Sequence, residues 1–192
     1  MKIYHPEKPF ERYADDIVVH CKTEKQAKFM LAQIKTRMKC CKLTLHPEKT
    51  KIVNLRGKAM GIYAKSFDFL GFTIKPSGVK CTSGVKAIPG TFVSKKSKSA
   101  IHEKFKEMEI HKWRKPIDEI SKVLNLVIRG MINYYHKFEN GSMRRVWHDL
   151  NCRLLKWVKW EKGLYKYAAI KWLRMKYKEQ PNLFAHWLLV HP

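Results

Sequence analysis

Apolar residues recur along this chain with two different periods, and the change of period divides it. Arg12 to His20 reads as two short strands around a tight corner, with Ile17, Val18 and Val19 a β-branched run suited to a buried strand. Thr23-Glu24-Lys25-Gln26 then has the form of a capping box, followed at helical spacing by Ala27, Met30, Leu31, Ile34 and Met38. Past Pro47, Lys51 to Leu55 is a strand candidate. Phe67 to Ile74 is another, and Gly71 inside it marks a bulge or a close backbone approach. Ser77-Gly78, Ser83-Gly84 and Pro89-Gly90 are predicted turns.

Beyond the stretch from Gly90 to Lys98 the pattern is helical throughout. The clearest helix opens at Pro116, carries Ile117, Ile120, Leu124, Val127, Ile128, Met131 and Tyr135 as its buried stripe, and stops at Asn140-Gly141. A second runs from Met143 to about Trp160 with Val146, Leu150, Leu154 and Trp157 inward. Gly163 separates it from a third, Leu164 to Tyr177, which Pro181 ends. The fold class is therefore α+β, with antiparallel strands and one helix in residues 1–93 and an all-α domain in 94–192.

Charge changes the picture more than composition does. Lys and Arg number 40 against 16 acids in 192 residues, a formal net charge of +24. The excess is shared between residues 1–93 and 94–192, so neither half is a neutral domain with a basic tail. Such a chain repels itself unless a polyanion is near, and nucleic acid is the natural partner because neutralising phosphates releases counterions. A ribosome-associated protein or one held on an anionic membrane surface would also be basic. No uncharged apolar run approaches the length of a membrane span. Five cysteines, none in a CxxC pair, fit reduced thiols and a cytoplasmic location. The nine histidines lack metal-ligand spacing, and His20 and Cys21 read as structural.

Two constellations carry chemistry. Tyr13-Ala14-Asp15-Asp16 sets adjacent acids at a strand corner. Acids at a tight turn are ordinarily solvated, but clustered carboxylates on a rigid hairpin are also what phosphoryl transfer needs to hold divalent metal. The second is a mixture of cations and rings: Lys156-Trp157-Val158-Lys159-Trp160, Tyr165-Lys166-Tyr167, Lys171-Trp172, Arg174 and Lys176-Tyr177-Lys178. Trp157 and Trp172 fall at core spacing. The RNA-contact candidates are Lys156, Lys159, Lys166, Lys171, Arg174 and Lys178, joined by Arg144 and Arg145. Arg129 lies beside an apolar stripe and suits a buried pairing as well as an RNA contact.

These pieces stand in a known order. Tyr13-Ala14-Asp15-Asp16 between strands is similar to the polymerase motif of reverse transcriptases, and Leu45-His46-Pro47-Glu48-Lys49-Thr50-Lys51 to the lysine-bearing segment after the palm helix. Phe69-Leu70-Gly71-Phe72 looks like the primer grip. Ile128-Arg129-Gly130-Met131-Ile132-Asn133-Tyr134-Tyr135 resembles the maturase-specific domain of group II intron proteins. From Phe10 to Trp187 the chain thus resembles the C-terminal portion of a group II intron reverse transcriptase/maturase: the end of the palm, then the thumb. The resemblance implies Asp15 and Asp16 as catalytic and metal-binding acids with Mg²⁺ as cofactor. It implies Lys49 near the leaving pyrophosphate, where a solvated basic loop is the equal alternative. It implies Phe69, Leu70, Gly71 and Phe72 steadying the primer.

The family also carries a metal-binding Asp on an earlier palm strand, and fingers. Only twelve residues precede Tyr13, and their acids, Glu7 and Glu11, lie in no such motif. The expectation is a protein that binds group II intron RNA in splicing and mobility and does not polymerise alone. A primer-template of RNA and DNA would be engaged only with a separate chain supplying fingers and the first palm strands. A decayed remnant is the alternative. The palm strands would expose uncovered edges, which makes the first half the less steady one. A homing-endonuclease His/Cys pattern is not seen.

Overall fold

Each element forms where the chain can pair its backbone and cover one apolar face. The computed structural model describes residues 9–56, 63–82, 84–138 and 141–192. Among these it holds five strands and five α-helices, an α+β fold. The chain divides into two units, Met1–Phe69 with Lys75–Pro89, and Leu70–Ile74 with Gly90–Pro192.

In the first unit, β1 (Phe10–Tyr13) and β2 (Asp16–Val19) form an antiparallel hairpin, Phe10 facing Val19 and Tyr13 facing Asp16. Only Ala14 and Asp15 remain for the turn, and Ala14 takes φ 52°. The His20 N–H donates to the Pro9 carbonyl and continues the ladder. The expectation of a buried second strand is corrected: Ile17 is exposed and Val18 and Val19 are half-buried. The reason is that β2 has one described partner, β1, in a two-stranded sheet.

The capping box forms as read. Thr23 Oγ1 accepts the Gln26 N–H at 3.2 Å, and Gln26 Oε1 reaches back to the Lys22 N–H at 2.7 Å, starting α1 (Glu24–Cys40). Its predicted stripe faces inward, although Met30 alone is fully buried. Lys51 to Leu55 is not a strand. Among the described residues it contributes a single parallel bridge, Val53 to Ala64, and the Asn54 side chain accepts the Arg56 N–H in a local turn.

Phe67 to Ile74 is likewise not one strand but a hairpin. β3 (Phe67–Phe69) and β4 (Phe72–Cys81) are joined through Leu70 and Gly71, with φ of 49° and 77°, and β5 (Gly84–Val93) completes the order β3-β4-β5. Positive φ at both central residues is the signature of the turn whose twist matches its strands. Two predicted turns, Ser77-Gly78 and Pro89-Gly90, lie inside strands. Pro89 is tolerated on an edge strand, and Pro76 lies beyond the reach of three-residue β3. Of the third, Gly84 takes φ 109° as the first residue of β5, and Ser83 lies outside the described residues.

The second unit is a helical core. Its helices are α2 (Lys95–Glu107), α3 (Ile117–Tyr135), α4 (Arg144–Lys162) and α5 (Lys166–Glu179). Pro116 opens α3, and Asp118 and Glu119 in its first turn suit the positive end of the helix dipole. The predicted stripe is the buried one: Ile120, Leu124 and Ile128 are sealed, and so are Val146, Leu150, Leu154 and Trp157 of α4. α3 stops at Tyr135, earlier than read, and gives way to a 3-10 turn, His136–Phe138. Of the predicted stop signal, Gly141 sits at φ 77° and Asn140 is outside the described residues. Gly163 at φ 61° ends α4, a left-handed position that favours glycine. The C-terminal segment was not foreseen as core, yet Phe184, His186 and Trp187 are wholly buried.

Candidate nucleic-acid interface and carboxylate hairpin

The first candidate site is the β1–β2 corner. Asp15 occupies the turn and Asp16 opens β2, both exposed beside an exposed Tyr13. The Arg12 Nε donates to the Ala14 carbonyl at 3.0 Å, bracing the corner from below. Lys49 is exposed on the turn that the Thr50 N–H closes onto the His46 carbonyl. A hard divalent cation wants six or more oxygen ligands, commonly several from carboxylates. Among the described residues no group of three or more His, Cys, Asp or Glu side chains is placed to hold a metal ion. The two carboxylates therefore do not by themselves fit a metal, and no chemical step is assigned through one.

The Phe69-Leu70-Gly71-Phe72 segment is built differently. Its two turn carbonyls are held by the second unit, to which Leu70–Ile74 belongs. Tyr134 Oη donates to the Leu70 carbonyl at 2.9 Å. The Gly71 carbonyl accepts the Ser94 N–H and the Ser97 hydroxyl, each at 2.9 Å. Ser94 also caps α2, its Oγ accepting the Ser97 N–H at 3.0 Å. A Cβ at Gly71 would meet Ser97 Oγ at 3.0 Å, the close approach that a glycine there allows. Phe72 is buried with its ring 5.8 Å from Tyr134, 5.7 Å from Tyr135 and 5.8 Å from Phe138. Phe69 is half-buried and belongs to the first unit. Two motifs more than fifty residues apart in sequence are thus one structure. Ser94, Ser97 and Tyr134 were missed as anchors, though the Ser94–Ser97 spacing ahead of a helix is an N-cap signal.

The nominated cations lie on α4 and α5. Arg144, Arg145, Lys156, Lys166, Lys171, Arg174 and Lys178 are exposed, and Lys159 is half-buried. With 3.6 residues per turn, Arg145, His148, Cys152, Lys156 and Lys159 fall within an arc of about 80° on α4. By the same count Tyr167, Lys171, Arg174 and Lys178 fall within about 60° on α5. One face of α4 thus carries Arg145, Lys156 and Lys159, and one face of α5 carries Lys171, Arg174 and Lys178. These two cationic stripes leave Arg144 and Lys166 outside their arcs, and the two helices pack together. Arg144 and Arg145 also line an open groove with Ser142, His148 and His191. Ion pairs among the described residues engage other cations: Lys28, Lys106, Lys112, Arg114 and Lys176. Hydrogen bonding to Glu179 raises the Lys176 pKa, which marks that ammonium as already neutralised in part. Arg129, open to two readings in sequence, is exposed, so a buried pairing is ruled out.

Not every ring is core. Trp157 is buried and packs 6.2 Å from half-buried Trp172, but Trp160, Tyr165 and Tyr167 stand in solvent at 62%, 90% and 84% exposure.

Comparison with known protein families gives two matches in chain order. A family model described as reverse transcriptase (RNA-dependent DNA polymerase) matches residues 2–74. One described as group II intron, maturase-specific domain, matches residues 98–177. Among curated proteins, none matches the chain.

Proposed function

The chain belongs to the group II intron reverse transcriptase/maturase family, and from that premise we propose that it binds group II intron RNA to assist splicing and mobility. The observation that carries this is the pair of cationic stripes on α4 and α5, inside the stretch matched by the maturase-specific domain. In this reading residues 1–93 are palm and 94–192 thumb. Arg144, Arg145, Lys156, Lys159, Lys166, Lys171, Arg174 and Lys178 face RNA phosphates, and Phe69 to Phe72 steady a primer strand.

The family's chemistry uses divalent metal. We assign Asp15, with Asp16 beside it, as the Mg²⁺-binding acids of this chain and Lys49 as the proton donor to the leaving pyrophosphate. Two carboxylates from one hairpin are too few, so the reading requires at least one further acid beyond those described here. In the family that acid stands on an earlier palm strand, and primer extension depends on its being supplied, in this chain or by a second one bearing fingers and early palm strands. No helix among the described residues is long and apolar enough to cross a membrane. The exposed thiols Cys40, Cys41 and Cys152 suit a reducing compartment, and we place the protein in the cytoplasm.

The test is a titration of purified chain against a structured group II intron RNA over a salt series, beside primer extension on an RNA template. Each phosphate contact should add roughly −0.7 to −0.9 to the slope of log affinity against log salt. Lys171→Ala or Arg174→Ala should each flatten that slope by about 1. Equal affinity for any RNA of the same length would reduce the protein to a generic basic binder. Extension that Asp15→Asn abolishes, with no second chain present, would show the carboxylate site to be complete after all.

A further inference from the structure

We propose that the turn between α4 and α5 is a stacking platform for unpaired RNA bases, an inference that deepens the RNA-binding reading and rests on it. Three rings emerge within eight residues there: Trp160 near the end of α4, Tyr165 ahead of α5 and Tyr167 in its first turn. Their exposures of 62%, 90% and 84% contrast with Trp147, Trp157 and Trp187, which are sealed. A protein with room for several tryptophans in its core leaves these three rings, all within eight residues of one turn, in water. A single exposed hydrophobe is ordinary, but a run of large ones about one turn points to an interaction site.

The surroundings say what they meet. The Arg114 guanidinium lies 5.2 Å from the centre of the Trp160 ring, an approach that steadies the indole while leaving most of it open. The same Arg114 takes up Glu161 at 3.4 Å, so the acid next to Trp160 is neutralised. Lys156 stands one turn before Trp160, and Tyr167 heads the stripe that continues through Lys171 and Arg174. Rings interleaved with cations fit a polyanion that also offers flat apolar faces. In a duplex those faces are already covered by neighbouring base pairs. A single-stranded loop or bulge exposes them, and stacking on an aromatic side chain is open to any base. The occupant is therefore an unpaired segment of RNA, its phosphates on the lysines and its bases on Trp160, Tyr165 and Tyr167.

The full chain is titrated by fluorescence anisotropy against labelled oligouridylate and against a duplex RNA of equal length. Tyr165→Ala and Tyr167→Ala should each weaken oligouridylate binding by roughly tenfold and duplex binding by less than about twofold. The salt slope should stay as in wild type, because no phosphate contact is lost. Oligouridylate should also quench tryptophan emission, and Trp160→Phe should remove that quenching while keeping most of the affinity. Unchanged affinity for both RNAs in the alanine variants overturns the platform and leaves the RNA-binding reading intact. So does an equal loss on both RNAs. A wild-type chain that binds neither RNA, nor the intron, overturns the platform and the reading beneath it together.

Discussion

His186 gives the helical core a built-in sensitivity to acid. Its imidazole is wholly buried between Trp147, Phe184 and Trp187. Asn151 decides the tautomer. The Asn151 Nδ2 donates to the carbonyls of Val190 and His191 at 3.4 and 3.3 Å, which turns Oδ1 toward the rings. That oxygen accepts Trp187 Nε1–H at 3.0 Å and His186 Nε2–H at 2.7 Å. The proton is then on Nε2, and Nδ1 is left buried with no hydrogen-bond partner among the described residues. Desolvation pushes the His186 pKa down from 6.5 to about 3.

The sign follows from where the proton goes. Unfolded, the ring takes a proton below pH 6.5; folded, it refuses one until about pH 3. Between these values the unfolded state holds more protons, so stability is whole above pH 6.5 and is lost as the pH falls. Relative to neutral pH the loss is about 2 kcal/mol at about pH 5, and it approaches about 5 kcal/mol near pH 3. Urea unfolding followed by tryptophan emission is the assay, at about pH 7.5 and about pH 5. All six tryptophans lie between Trp113 and Trp187, so the signal reports the helical unit. His186→Gln offers Asn151 an amide N–H and cannot titrate. Every other ionisable group is common to both proteins, so the difference between their pH dependences isolates His186. Wild type should lose about 2 kcal/mol more than the variant across that interval. Identical pH dependences would refute the buried neutral imidazole.

Three further perturbations test how the turn and helices are held. Gly71→Ala sets a Cβ 3.0 Å from Ser97 Oγ at a backbone φ of 77° and should cost about 2 kcal/mol in urea unfolding; a loss below about 0.5 kcal/mol would mean Ser97 moves freely. Tyr134→Phe removes the donor to the Leu70 carbonyl and should cost about 1 kcal/mol by the same assay, whereas no change would mean water replaces the hydroxyl at no cost. Gly130 sits inside α3 with open space where its Cβ would be, so Gly130→Ala should stabilise by about 1 kcal/mol and raise the melting temperature. Failure to gain would point to a cost that the open surface does not show.

The helical half was the legible half because a period of 3.6 needs no partner to be visible. Ile117, Ile120, Leu124 and Ile128 sit on one face of α3 whatever α3 packs against, and that face is the buried one. Strands are legible only through what they pair with. Ile17 to Val19 has the composition of a buried strand, yet its burial depends on a neighbour on both sides, and β1 is the one described. Phe67 to Ile74 reads as one strand because Leu70 is apolar. The turn is betrayed by Gly71 alone, and Leu70 at φ 49° is a conformation that composition does not announce. The Phe184 to Trp187 segment was invisible for a related reason. A single 3-10 turn is too short to show a period, and its burial is secured by Asn125 and Asn151, whose amides hold backbone and side chains of that segment.

The candidate sites divide along the same line. Residue type and spacing were enough to nominate Asp15, Asp16 and the lysines, since hairpin corners and helix faces are local. What joins Leu70 to Tyr134, or Gly71 to Ser97, is a carbonyl oxygen that must find a donor when the turn packs against the helices. No local pattern carries that demand. Helical spacing also put Trp157 and Trp172 in the core, but it says nothing of a ring where the helix ends. Trp160 lies in the last turn of α4, and Tyr165 precedes α5. At such a turn the two helix faces no longer define an inside, so the sequence leaves these rings undecided. Their exposure has to be seen in the fold before stacking on RNA can be argued for them and not for their buried neighbours.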